Sequence, residues 1–273
     1  MRFSVEAMQP TQEQKATRFR DLHAGDAFVI PNPWDAGSAK ALAALGFEAL
    51  ATTSSGFAFT LGRTDGGATL DEVTEHVRVL DAATPLPVSV DLENGHGPAP
   101  GDAAQAIRRV ADAGAVGGSI EDWDPDERRL YDPAAASERI AAAVEAARSL
   151  GFPFTLTARA ENHVRGNPDL DDTIARLQAY EAAGADVLYA PGLRNADEIR
   201  AVCQAVSKPV NVLAHAGLSL RDVVEAGGRR ISVGGGLTWV AVAAMAAAAQ
   251  RIRDDGDFSV LATRAPIQDW LAG

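Results

Sequence analysis

The chain is expected to fold as a (β/α)8 TIM barrel of the α/β class. Three observations predict it. Eight short apolar runs alternate with helical runs, glycines follow the helical runs, and chemically useful polar residues gather where the apolar runs end. No Gly-x-Gly-x-x-Gly follows the first run, so the doubly wound dinucleotide-binding alternative lacks its fingerprint.

The strand-like runs are 28–32, 49–54, 87–93, 118–122, 154–160, 186–191, 209–214 and 230–234, each bounded by Gly, Pro or Asp. Between them lie helical patterns. Residues 101–113 place Ala103, Ala106, Ile107 and Val110 on one face, and 171–183 do the same with Ile174, Leu177 and Tyr180. Gly46, Gly114, Gly151, Gly184 and Gly227 each follow a helical run, where the backbone leaves the helix. An Ala-Gly-Ala triplet precedes an apolar strand at 113–115 and again at 183–185. Eight βα units favour closure into a barrel. The 273 residues are read as one domain, with a helical extension at 1–24 and C-terminal helices at 237–273. The tail at 258–271 reads as one extra helix.

With 47% hydrophobic residues the chain can bury a large core. Its formal net charge of −12 argues against nucleic acid or an anionic membrane as partner. Cys203 is the only cysteine, so no intrachain disulfide can form. With no leader pattern in residues 1–10, a cytoplasmic location is expected. The longest apolar stretch, about residues 239–249, is too short to span a bilayer.

In such a barrel the reactive groups sit at the C-terminal ends of the strands. These ends carry Asn32 and Trp34; Thr53, Ser54 and Ser55; Asp91 and Glu93; Glu121 and Asp122; Arg159 and Glu161; Tyr189; Asn211 with His215; and Gly234, Gly235 and Gly236. Asp91 and Glu93 lie two apart on a strand and should point to one side. Close carboxylates repel unless a cation or a shared proton intervenes. A divalent metal with oxygen ligands and retained waters is the economical reading, and solvated turn residues or helix caps are the alternative. Glu121 would hold a metal-bound water, and Asp122 would cap a helix. Arg159 suits a substrate carboxylate or phosphate, or else an internal salt bridge to Glu121 or Glu93. Ser54, Ser55 and Gly56 can present backbone N–H groups to an oxyanion. Asp65 has a turn residue as its plain reading. His96 and His215 are loop histidines without zinc-ligand spacing. Cys203 reads as a packed small hydrophobe.

The ordered segments Pro31-Asn32-Pro33-Trp34-Asp35, Thr53-Ser54-Ser55-Gly56, Leu61-Gly62-Arg63-Thr64-Asp65-Gly66-Gly67, Asp91-Leu92-Glu93-Asn94-Gly95-His96-Gly97, Ser119-Ile120-Glu121-Asp122, Thr157-Ala158-Arg159 and Pro209-Val210-Asn211-Val212 resemble the isocitrate lyase/phosphoenolpyruvate mutase superfamily. The resemblance covers about residues 25–250. It implies a barrel with a Mg2+-dependent site for 2-oxo acids, with Mn2+ as an alternative ion. It implies Asp91 as metal ligand, with Glu93 and Glu121 in the metal group through its waters. Asp65 stands near the metal. Arg159 lies over the substrate oxygens, and Asn211 is a substrate-side amide. The substrate carboxylate meets the Ser54, Ser55 and Gly56 amides, and Trp34 belongs with the substrate-binding set. Arg159, Glu121 and Asp65 are the implied catalytic residues. The resemblance also implies a homo-oligomer, dimer or tetramer, that exchanges its last barrel helix between subunits.

One departure stands out. Isocitrate and methylisocitrate lyases carry a catalytic cysteine in a loop after the fourth strand. Here residues 123–132 contain no Cys, His or Lys. Tyr131 or Arg128 is left as a loop acid or oxyanion contact. The expected activity is a C–C lyase or decarboxylase acting on a small 2-oxo dicarboxylate through an enolate. Phosphonate P–C chemistry and a non-catalytic 2-oxo acid binding protein are the alternatives.

Overall fold

The structure is a computed structural model that describes residues 9–262 and 264–272. Helix α1 (Gln12–Ala24) leads into strand β1 (Phe28–Ile30) and helix α2 (Ala36–Ala44). Strand β2 (Leu50–Ala51) is followed by α3 (Ser54–Thr60) and α4 (Leu70–Ala83). Next come β3 (Val88–Asp91), α5 (Pro100–Asp112), β4 (Gly117–Glu121) and a small hairpin, β5 (Trp123–Asp124) and β6 (Arg129–Leu130). Then follow α6 (Pro133–Arg148), β7 (Thr155–Arg159), α7 (Leu170–Ala182), β8 (Val187–Tyr189), α8 (Ala196–Ala205), β9 (Val210–Leu213), α9 (Leu220–Glu225), β10 (Arg230–Ser232) and α10 (Gly236–Asp255).

Eight strands pair in parallel in the order β1-β10-β9-β8-β7-β4-β3-β2. The Ala51 N–H donates to the Pro31 carbonyl at 3.1 Å and bridges the remaining seam. The expected (β/α)8 barrel is what forms. Its strands are shorter than the apolar runs, because hydrogen bonding stops where the chain turns toward the next helix. The main core lies between strands and helices, around Ile107, Val110, Ile120, Ile140, Leu156 and Leu177. A second cluster, with Ala16, Phe19, Phe28, Ile30 and Val116, lies where α1 covers the N-terminal end of the barrel. There Gly117 is needed for space, since a Cβ on it would stand 2.7 Å from the Phe19 ring.

The N-terminal extension is helical over α1, and residues 1–8 of the expected 1–24 helix lie outside the described residues, as does most of the 1–10 stretch read for a leader. The tail is not one helix. A 3-10 turn (Phe258–Ala262) precedes α11 (Ile267–Ala272). Pro266 lacks an N–H and restricts the residue before it, so a continuous helix cannot pass through. Among the described residues, no helix is long and apolar enough to cross a membrane.

Candidate active site

The site is built on one register row. Parallel pairing aligns Glu121 with Arg159, Arg159 with Tyr189, and Tyr189 with Asn211, across β4, β7, β8 and β9. On the other side Asp91 pairs with Ser119. Arg159 is nearly surrounded by acid. Its Nη1 donates to Asp91 Oδ1 at 3.0 Å, its Nε and Nη2 donate to Glu161 Oε1 at 3.0 and 2.6 Å, and Nη2 reaches Glu121 Oε2 at 3.0 Å. The Tyr189 ring lies 5.1 Å from its guanidinium carbon. Burial alone would lower the Arg159 pKa, but Glu161, Glu121 and Asp91 override it and hold the guanidinium well above its ordinary value. Glu121 is pushed up by burial, and Glu161 and Asp91 add to that push while Arg159 opposes it.

The turn after β3 places the outer acids. Glu93 adopts φ 50°, so the strand has ended and its side chain is aimed by the turn rather than by two-residue alternation. Its N–H donates to Asp91 Oδ1 at 3.3 Å. Burial, with Asp91 and Asp65 adding to it, pushes the Glu93 carboxyl up to about 8. The turn is clamped from behind. Arg139 of α6 donates to the carbonyls of Pro98, Asn94 and Gly97, and its guanidinium lies 4.5 Å from the Tyr131 ring.

Below Arg159 lies a polar pocket of about 50 Å³, lined by Thr52, Ser89, Ser119, Tyr189, Asn211, Arg230 and Ser232 among others. Asn211 Nδ2 donates to Ser232 Oγ at 3.0 Å, while Asn211 Oδ1 and Arg230 Nε are buried without a hydrogen bond. That volume suits a few waters or a small head group.

Several expected residues meet here: Asp91, Glu93, Glu121, Asp65, Arg159 and Asn211. Others are placed differently. Trp34 lines an apolar groove with Leu42, Leu237, Val240 and Trp270, because the 31–35 segment turns outward into α2. The Ser54 N–H points to Asp91 Oδ2 at 3.4 Å, and the Gly56 N–H is capped by Thr53 Oγ1 at 3.3 Å, so two of the three expected oxyanion amides already have acceptors. Arg159 forms the internal salt bridge to Glu121, with Asp91 and Glu161 in place of Glu93. Asp122 caps no helix. It is buried, and accepts from Tyr180 Oη at 2.6 Å, Arg176 Nη1 at 3.0 Å and the Glu161 N–H at 2.8 Å. Tyr131 turns away from the mouth toward Asn94, whose Nδ2 donates to its hydroxyl at 3.1 Å, and Arg128 is exposed. His215 is exposed, while His96 is partly buried with its pKa lowered mainly by burial. Cys203 packs against the core, and burial pushes its thiol up to about 11.

Two members went unread. Glu161 stood among the strand-end residues without a role, and Arg165 was not singled out. Arg165 Nη2 donates to Glu121 Oε1 at 3.2 Å, and its Nε stands 3.1 Å from Glu161 Oε2. The spacing of four between Glu161 and Arg165 was the available signal.

Among the described residues, no three acids or histidines gather into a ready-made metal cage. Glu121, expected to act through a metal-bound water, has both carboxylate oxygens facing arginines, Oε2 at Arg159 and Oε1 at Arg165. Mg2+ rarely needs such a cage, because it keeps waters and takes one or two carboxylates. Asp91 and Glu93 fit that role. Burial is the main cause of the raised Glu93 pKa, and Asp91 and Asp65 add a repulsion that a cation there would relieve.

The family described as phosphoenolpyruvate phosphomutase matches residues 19–253. A crystal structure of a candidate lyase/mutase from Burkholderia cenocepacia is 53% identical, with a TM-score of 0.93 over 96% of this chain and 97% of that one. An uncharacterised protein of Mycobacterium tuberculosis is 34% identical over 88% of this chain and 90% of its own length. A 2-methylisocitrate lyase of Halalkalibacterium halodurans is 28% identical over 83% and 73%. An oxaloacetate decarboxylase of a Bradyrhizobium species is 30% identical over 78% and 75%. With its barrel, its row of Glu121, Arg159, Tyr189 and Asn211, and a family match over most of its length, the chain belongs to the phosphoenolpyruvate mutase/isocitrate lyase superfamily.

Proposed function

We propose that the chain is a Mg2+-dependent lyase that breaks a C–C bond, by decarboxylation, in a small 2-oxo dicarboxylate such as oxaloacetate or a relative of 2-oxoglutarate. The observation that carries this reading is the largely enclosed Arg159, held in its charged form at the barrel mouth by Asp91, Glu121 and Glu161. When bound at Asp91 and Glu93, Mg2+ supplies Lewis-acid polarisation of the 2-oxo group. The fixed positive charge of Arg159 lies beside the developing enolate oxygen and needs no reorganisation to stabilise it. Asn211 and Tyr189 border the same pocket and orient the oxalyl end. Decarboxylation asks for no base from the 123–132 hairpin, which carries no cysteine and turns Tyr131 toward Asn94. A relative described as an oxaloacetate decarboxylase supports the same chemistry.

The test is NMR of oxaloacetate, other 2-oxo dicarboxylates and phosphonopyruvate over time, with and without Mg2+. Consumption of a 2-oxo dicarboxylate with release of CO2, above the rate Mg2+ gives alone, is expected. Consumption of the phosphonate alone would move the reading to P–C chemistry. Metal-dependent binding without turnover would make the protein a 2-oxo acid binder.

We also propose that a second copy of the chain covers α10. Along this helix only Thr238 is buried, and Trp239, Val240 and Met245 are exposed. Sedimentation of a lone monomer at micromolar concentration would end that proposal.

A further inference from the structure

One cation beside the strand-end row is left without a role, and it shares Glu121 and Glu161 with Arg159. Arg159 spends three of its five N–H donors on Asp91 and Glu161, and its Nη2 is also ion-paired with Glu121 at 3.0 Å. It has little left for a two-pronged grip on a carboxylate. The pocket of about 50 Å³ beneath it holds only a small head group, so a longer ligand extends outward past Arg159. The outward path runs through acid, because Asp65, Asp91, Glu93, Glu121 and Glu161 all belong to the mouth. A second carboxylate there needs its own cation.

Arg165 is placed to supply it. It lies on the loop after β7, with its side chain 36% exposed, while that of Arg159 is 15% exposed. Its guanidinium carbon stacks 4.5 Å from the Trp123 ring, on the hairpin that takes the place of the lyase loop. Its contacts are longer than those of Arg159, at 3.2 Å to Glu121 and 3.1 Å to Glu161. The second is an ion-pair approach only, for Glu161 Oε2 is buried without a hydrogen bond. Among the described residues Arg165 Nη1 has no acceptor. The side chain is thus positioned by Trp123 and two acids, with donors still to spend.

We propose that Arg165 recognises the distal carboxylate of the substrate and sets the preference for 2-oxo dicarboxylates over 2-oxo monocarboxylates. This rests on the reading of the mouth as a 2-oxo acid site. Trp123 acts as the platform that keeps the guanidinium over the pocket exit.

Two unreactive probes separate the head group from the distal carboxylate. Oxamate carries the oxalyl head alone, and N-oxalylglycine carries the same head with a second carboxylate. Calorimetric titration of both, with Mg2+, is made on the full chain and on Arg165→Gln, Arg165→Lys and Trp123→Leu. Arg165→Gln is expected to weaken N-oxalylglycine by about 10- to 100-fold and oxamate by less than about threefold. Arg165→Lys recovers part of the loss, since it restores charge without the fork. Trp123→Leu weakens N-oxalylglycine selectively by a smaller factor, and it carries the test if Arg165→Gln does not fold. Equal weakening of both probes would overturn the proposal and leave Arg165 as a support for Glu121 and Glu161. Unchanged binding of both would overturn it as well. If the unaltered protein binds neither probe, the 2-oxo acid reading of the mouth falls first and takes this inference with it.

Discussion

Arg159 and Arg230 line the same small pocket, and their surroundings are opposite. Arg159, at the mouth, touches three carboxylates and is held well above its ordinary pKa. Arg230, which lines the same pocket, has no carboxylate partner among the described residues. It donates to Thr157 Oγ1 at 3.0 Å, faces the Phe19 ring at 5.9 Å, leaves Nε unbonded, and is pushed by burial down to about 10. Many groups act to keep the charge of Arg159, whereas Arg230 carries a charge that burial works against. A fold that only needed stability would have no reason for the first arrangement.

Substitution sharpens this contrast most. Arg159→Met leaves Asp91, Glu121 and Glu161 facing one another, and a loss of roughly 3–5 kcal/mol in urea unfolding is expected, with no metal-dependent ligand binding remaining. Arg230→Met removes an unpaired charge together with one hydrogen bond, and stability should stay within about 1 kcal/mol of the parent. Comparable losses from the two variants would erase the distinction between the two arginines.

The next effect lies in the support behind the mouth. Asp122 holds the Glu161 backbone while accepting from Tyr180 and Arg176. Tyr180→Phe should cost about 1–2 kcal/mol and leave the oxamate Kd unchanged. A large change in oxamate affinity would mean that the wall and the site are not separable.

Titration separates the two ends by the direction of their pH response. In metal-free protein Glu93 is raised from 4.5 to about 8, so stability is full below 4.5 and is lost as pH rises to about 8. Glu93→Gln should flatten that limb in chemical unfolding with EDTA present. At the other end His23, set between the Phe19 and Phe28 rings, is lowered by burial from 6.5 to about 3. Its contribution is complete above 6.5 and is lost as pH falls toward 3, with a slope of at most roughly 1.4 kcal/mol per pH unit. His23→Leu should remove this acid limb and leave the alkaline one. If either variant flattens both limbs, the two titrations belong to one coupled event.

Much of the site was legible because barrel chemistry sits at strand ends, and strand ends can be found by apolar runs that stop. Asp91, Glu121, Arg159 and Asn211 were found that way. Glu93 was found for a reason that does not hold, since its backbone has left the strand and the turn alone aims it. Trp34, Tyr131 and Asp122 were misplaced because local pattern does not say which way a loop residue faces. Arg165 was missed because it lies six residues beyond its strand, where only the folded loop carries it back over Glu121 and Glu161.

By itself the sequence determined the alternation of strands and helices, the closure into one barrel, and the set of polar residues at one rim. Those follow from periodicity and from glycine and proline, which act over a few neighbours. Tertiary structure decided which acids pair with which arginine, because these partners come from β3, β4, β7 and the loop behind it. It also decided that the tail breaks at Pro266, that α10 leaves its apolar residues exposed, and that one arginine is neutralised while another is not. Such outcomes depend on distances between groups far apart in the chain, and Coulomb interaction and desolvation respond to those distances rather than to sequence order.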